Sequence, residues 1–233
     1  MLHRAGLPGF RGNLDWIHSF EGHAGKPYWP GGASGITLDA GFDLGYADES
    51  LFMALYAKHL THARRQACLD AMGTKGRDAY EYLRKSEVLQ NVNISFKMAQ
   101  GVFPHIAASY WGSLLTRFPA LVQDEVPDAV QTVMLSLAIN RGPGNPDLKR
   151  LRLPLASGDW KEIGTLVEEM QQDHDLRGIQ KRRREEGAYI KTSIREAKYE
   201  AMRQTIDRIE ARPPQEFNIR PIEDIAAEYE IRQ

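Results

Sequence analysis

Apolar residues recur along most of this chain at three- and four-residue spacing, the period of a helix that buries one face. Asn13 is placed to cap a helix over 14–21, Asp15 suits its first turn and Gly22 its end. Residues 48–72 are rich in alanine, leucine and charge at helical spacing, and 76–86 predict a short second helix. Ser95 to Phe118 predict one or two more, with Pro104 as a break. The most apolar segment runs from Pro127 to Asn140. There Val130, Val133, Met134, Leu137 and Ala138 predict a central buried helix, closed by Gly142-Pro143-Gly144-Asn145-Pro146. Trp160 to Gln171 and Lys181 to Arg212 supply the remaining helices. Pro213-Pro214 stops the last, and a polar tail over 213–233 follows, with a helical pattern at 222–230.

One interval has a different period. Ile36, Leu38, Ala40 and Phe42 alternate with Thr37, Asp39, Gly41 and Asp43, which predicts a strand from Ile36 to Leu44. Thr37, Asp39 and Asp43 then line one polar surface, and Gly41 leaves room between them. The fold class is mainly α (α+β), with one small β element near the N-terminus and no internal repeat.

Composition narrows the function classes. The 233 residues are 42% hydrophobic and 26% charged, the balance of an ordinary globular chain long enough to bury a core. A formal net charge of -1 gives no strong field toward nucleic acid or membrane. Residues 176–212 are the exception, with eleven basic against six acidic side chains around Lys181-Arg182-Arg183-Arg184. No nucleic-acid-reading motif accompanies that run, so it reads as a solvated helix face with Arg182 turned inward. Cys68 is the single cysteine and excludes an internal disulfide. His59 and His62 lack the H-E-x-x-H pattern of a metalloprotease. The N-terminus lacks the apolar core of a secretory signal, which implies synthesis in a cytoplasm.

Two places carry candidate chemistry. Leu14, Ile17 and Glu21 fall on one helix face, so Glu21 sits on an apolar stripe at a helix C-terminus. Burial and the helix dipole both disfavour its charge there, as a general acid requires; the alternative is a glutamate whose head reaches water. The strand's two carboxylates and hydroxyl suit water activation; the alternative is a solvent-exposed polar hairpin. No phosphate-binding glycine motif is present.

Glu21 followed by Ser34-Gly-Ile-Thr-Leu-Asp-Ala-Gly-Phe-Asp-Leu-Gly45 resembles the phage-type lysozyme family, and most of all its pesticin-like toxin branch. The resemblance implies a lysozyme-like domain over 1–212, with 48–95 matching less clearly and 213–233 as an appended tail. It implies Glu21, Thr37 and Asp43 as the catalytic set. The older phage enzymes carry the Asp six residues before the Thr, a position held here by Gly31, so the match is to the pesticin-like arrangement, with Asp39 as a rival. Ser136-Leu-Ala-Ile-Asn140-Arg-Gly142 resembles the central helix and following turn, with Asn140 lining the sugar groove. Arg182 matches an arginine beside the catalytic Glu, where it would favour ionised Glu21 against burial and dipole. Asp39, Asn140 and Arg182 are therefore expected substrate-side residues.

The function so implied is hydrolysis of the β-1,4 bond between N-acetylmuramic acid and N-acetylglucosamine in peptidoglycan. Glu21 protonates the leaving oxygen, Asp43 activates water and Thr37 holds it. Two carboxylates suffice for that chemistry, so no metal or organic cofactor is implied. The expected partner is peptidoglycan in the cell wall, reached after release or delivery, with no nucleic acid and no stable membrane insertion. An immunity protein and delivery machinery are open as further partners. The alternatives are a non-catalytic wall-binding or structural protein and, using the arginine run, a nucleic-acid binder. Tyr28 and Trp29, beside the motif, are placed to stack on a saccharide, whereas Tyr110-Trp111 and Trp160 read as core.

Overall fold

Short polar side chains start most helices of this chain. In the computed structural model, which describes residues 6–211, α1 (Leu14–His18) begins where Asn13 accepts the Trp16 N–H. The strands β1 (Thr37–Leu38) and β2 (Phe42–Asp43) follow. Asp48 caps α2 (Glu49–Leu55), and Thr61 caps α3 (His62–Ala71). After α4 (Gly76–Lys85), Ser86 caps α5 (Glu87–Gln90) and Ser95 caps α6 (Phe96–Arg117). Then come α7 (Asp128–Arg141), α8 (Arg152–Ser157), α9 (Trp160–Glu169) and α10 (Arg177–Glu210). Each such cap satisfies a backbone donor the helix leaves open and contributes about 1 kcal/mol. The described residues are thus mainly helical with one small two-stranded antiparallel sheet.

The predicted central helix is α7. Every residue from Ala129 to Ala138 is buried, and α7 packs on both α6 and α1. Its buried face includes three polar side chains, and each has a partner. Gln131 accepts the Arg11 N–H at 2.6 Å and donates to the Leu121 carbonyl at 2.7 Å. The Thr132 hydroxyl accepts the Asn13 N–H at 2.9 Å. Ser136 meets charged groups of α10, described below. Buried polar groups are costly unless hydrogen-bonded, so these pairings fix where the segment leading into α1 lies along α7.

Four expectations change. Residues 48–72 form two helices, because Leu60 and Thr61 are extended and the Thr61 hydroxyl caps α3. Pro104 lies inside α6 and does not break it. Val102, Phe103, Ile106 and Ala107 around it are buried, and that packing offsets the hydrogen bond a proline removes. The helix predicted over 14–21 stops at His18. Glu21 is held instead by a turn, with the Phe20 N–H donating to Ile17 and the Glu21 N–H to His18. Finally, 36–44 is not one strand. It is a hairpin whose turn takes up residues 39–41, with Thr37 opposite Asp43 and Leu38 opposite Phe42. Asp39 is therefore off the strands, and the alternation expected of it does not apply.

Contacts divide the chain into two units, Met1–Ile194 and Arg195–Gln233. The described part of the second is helical, with Tyr199, Met202, Ile206 and Ile209 exposed. The tail 213–233 and its helical pattern at 222–230 lie outside the described residues. No described helix is long and apolar enough to cross a membrane.

Candidate active site

Glu21 is placed by the end of α1 and reached from α10. Arg182 donates from Nη2 to Glu21 Oε1 at 2.9 Å, with the Glu21 side chain 23% exposed and that of Arg182 10%. The apolar stripe therefore buries Glu21 in part only. The same guanidinium lies over the Phe20 ring, 5.0 Å from its centroid. Among the described residues Glu21 Oε2 has no protein donor, so one carboxyl oxygen is held and the other is open.

A buried charge cluster orients that arginine. Arg182 also donates from Nε to Glu186 Oε1 at 3.2 Å and from Nη2 to the Ser136 hydroxyl at 3.0 Å. The Ser136 hydroxyl donates to Glu186 Oε1 at 2.5 Å. Arg183 lies 3.0 Å from Glu186 Oε2 and donates to Asn140 Oδ1 at 2.8 Å. Both the Arg183 and Glu186 side chains are fully buried. Burial pushes the Glu186 carboxyl above the usual range and the Arg183 guanidinium below its own, while their mutual attraction opposes both shifts. The Arg183–Glu186 contact is an ion pair without hydrogen-bond geometry, since Arg183 Nε and Nη1 and Glu186 Oε2 lack hydrogen-bond partners. The turn of α10 that carries these groups approaches α9 closely: a Cβ on Gly187 would stand 2.3 Å from the Gly164 carbonyl oxygen.

In the hairpin the carboxylates are held by backbone. Asp43 Oδ1 accepts the N–H of Gly35 at 3.0 Å and of Gly45 at 2.8 Å, and Oδ2 lies 3.1 Å from the Gly35 nitrogen. A Cβ at Gly35 would fall 2.3 Å from Asp43 Oδ1 and 2.4 Å from the Gly45 nitrogen, so this clasp requires glycine. A carboxylate offers about four acceptor sites, which leaves Oδ2 room for a water. Thr37 is buried, and as the cross-strand partner of Asp43 it projects to the same face.

Asp39 is more completely engaged. Its side chain is 3% exposed, accepts the Ala24 N–H at 3.0 Å and the Gly25 N–H at 2.6 Å, and lies 3.0 Å from His23 Nδ1. The expected contact of Asp39 with a ligand finds little surface. It ties the 23–25 loop to the hairpin turn instead.

Two phenols are shifted in the presence of these carboxylates. Burial raises the Tyr28 hydroxyl above its ordinary value, and Asp39, Glu21 and Asp43 add to the shift. Burial likewise raises Tyr110, with Glu21 and Asp43 contributing. Glu21 and Asp43 thus lie within electrostatic reach of the same two side chains. Beside Tyr28 opens a cavity of about 560 Å³, lined by Trp29, Tyr80, Lys26 and Arg84 among others. The Trp29 and Tyr80 rings stand 5.4 Å apart.

The structure brings Glu21, Arg182 and Asn140 into one connected system through Arg183 and Glu186, and it pairs Thr37 with Asp43. Sequence reasoning missed Glu186 and Arg183 as parts of the site. Glu186 had a signal: it follows Arg182 by four and Arg183 by three, the spacing at which helical side chains meet. Of the run 181–184, Arg182 and Arg183 are buried, whereas Lys181 pairs with Glu185 and Arg184 with Gln172. No protein-family model matches this chain, and no curated protein matches it.

Proposed function

We propose that this chain hydrolyses the β-1,4 bond between N-acetylmuramic acid and N-acetylglucosamine in bacterial peptidoglycan, as a lysozyme of the pesticin-like kind. The observation that carries the reading is a glutamate with one carboxyl oxygen held by Arg182 and the other open, together with a backbone-clasped Asp43 opposite Thr37. Glycoside hydrolysis needs two such carboxyl groups flanking one bond.

Glu21 is the general acid. Its open Oε2 delivers the proton to the leaving oxygen, and Arg182 on Oε1 stabilises the carboxylate that remains. Asp43 orients a water from Oδ2 while the two glycine N–H groups hold Oδ1, and Thr37 supports that water from the facing strand position. Tyr28, Trp29 and Tyr80 give the neighbouring cavity aromatic walls on which sugar rings stack. Arg183 and Glu186 act through Arg182, as positioning residues.

A second reading has one observation in its favour. Backbone clasps on Asp43 and Asp39 also serve a hairpin that only needs to be rigid, as in a wall-binding protein without activity. A turbidity assay on purified peptidoglycan separates the two. Wild-type protein clears the suspension, and Glu21→Gln loses at least about 10²-fold in rate with an unchanged circular dichroism spectrum. Clearing by the variant at the wild-type rate removes Glu21 from the mechanism. Binding of the wall by wild type without clearing selects the second reading.

A further inference from the structure

A second cavity, of about 650 Å³, lies between α2 with the turn after it and residues 93–105. Its size is that of a small-molecule site. Glu21, Thr37, Asp43 and Arg182 do not line it. Its chemistry is one-sided: Lys58, His59, Lys97 and His105 line it, and among the described residues no aspartate or glutamate does.

That absence of acid stands out in a chain with 31 acidic and 30 basic side chains. Several cationic side chains elsewhere in the same unit meet carboxylates, although others do not. Arg77 and Arg84 share Glu81, and Lys191 meets Glu168 at 2.7 Å. Among the described residues, Lys58 and Lys97 have no ion pair and no hydrogen bond from their side chains. Like charges gathered round one concave surface without a counter-charge repel, and a bound anion relieves that repulsion. The imidazoles add N–H donors in either protonation state.

Apart from Asn93 and Ser95, the rest of the wall is apolar. Leu55, Met98 and Val102 are each at most 8% exposed and line the same cavity. Inorganic phosphate has nothing to place against them, and an uncharged hydrocarbon leaves the lysines uncompensated. The geometry points to a binding site for an amphiphilic anion, with a phosphate or carboxylate head on Lys58 and Lys97 and a hydrocarbon body on Leu55, Met98 and Val102. A phosphorylated lipid and a fatty acid both present that chemistry.

Calorimetric titration of the full chain with four probes tests this: dodecyl phosphate, dodecanoate, inorganic phosphate and dodecyl maltoside, each below its micelle concentration. At least one dodecyl anion is expected to bind about tenfold or more tighter than both inorganic phosphate and dodecyl maltoside. Which of the two binds tighter identifies the head. The double variant Lys58→Gln, Lys97→Gln is expected to lose about tenfold in affinity for that anion while keeping the wild-type melting temperature. Glu21→Gln binds as wild type does, so the result is independent of the proposed hydrolysis. Equal affinity for dodecyl maltoside, equal affinity for inorganic phosphate, no binding of either dodecyl anion, or unchanged affinity in the double variant overturns the assignment.

Discussion

The hairpin and the α7–α10 interface both hold carboxylates, but with different partners. In the hairpin, Asp43 and Asp39 take backbone N–H groups no more than fifteen positions away. At the interface, Glu186 takes side chains from its own helix and from Ser136, and Glu21 takes a guanidinium 161 positions along the chain. Backbone donors remain whatever side chains surround them, so the clasp on Asp43 depends on the glycines at 35 and 45. The interface depends on every member, because deleting one leaves the others buried and charged.

The largest effect is therefore expected at Glu186. Glu186→Ala leaves Arg183 without its counter-ion in a fully buried position, and breaking such a pair costs about 3–5 kcal/mol. Urea denaturation measures it; a loss below about 1 kcal/mol would mean that water compensates the cluster. The variant also frees Arg182 on one side, so the proposed lysis is expected to fall as well.

A smaller effect separates the two hairpin carboxylates. Asp39→Asn places an amide where Ala24 and Gly25 donate and is expected to cost about 1–3 kcal/mol while keeping a substantial part of the activity. Asp43→Asn is expected to lose nearly all turnover on purified peptidoglycan. The reverse pattern of activities moves the water-handling role to Asp39.

The smallest effect tests the surroundings of α1. His18 is buried against Phe103 and Phe96, and burial lowers its pKa from 6.5, with Glu21 and Asp15 opposing. The unfolded chain then binds a proton that the folded one refuses. Stability is full above about 6.5 and is lost as the pH falls below that value. His18→Phe removes this slope; a stability profile unchanged by the substitution assigns the acid sensitivity to other groups.

Legibility in the sequence follows the same division. The buried face of α7 was readable because its apolar spacing is local, and three helix starts came close because Asn13, Ser95 and Asp159 cap their own first turns. The spacing of six between Thr37 and Asp43 also has a local meaning: with a turn over 39–41 it sets the two directly opposite. Alternation put them on one face for a different reason, and it put Asp39 there wrongly, because period two cannot show where a strand reverses. Glu21 looked helical because its apolar neighbours continue the stripe, although the helix closes at His18. The Ser136–Glu186–Arg182 contacts were illegible because they join positions 46 and 50 residues apart, and no periodicity encodes that distance.

The central claim is the bond that is cut. Purified peptidoglycan is digested with the wild-type chain, the new reducing ends are reduced with borohydride, and the reduced sugars are identified by mass spectrometry after hydrolysis. The account predicts muramitol, from cleavage on the muramic acid side, in wild type and about 10²-fold less or below in Glu21→Gln. Glucosaminitol in place of muramitol, or no new reducing ends, contradicts it.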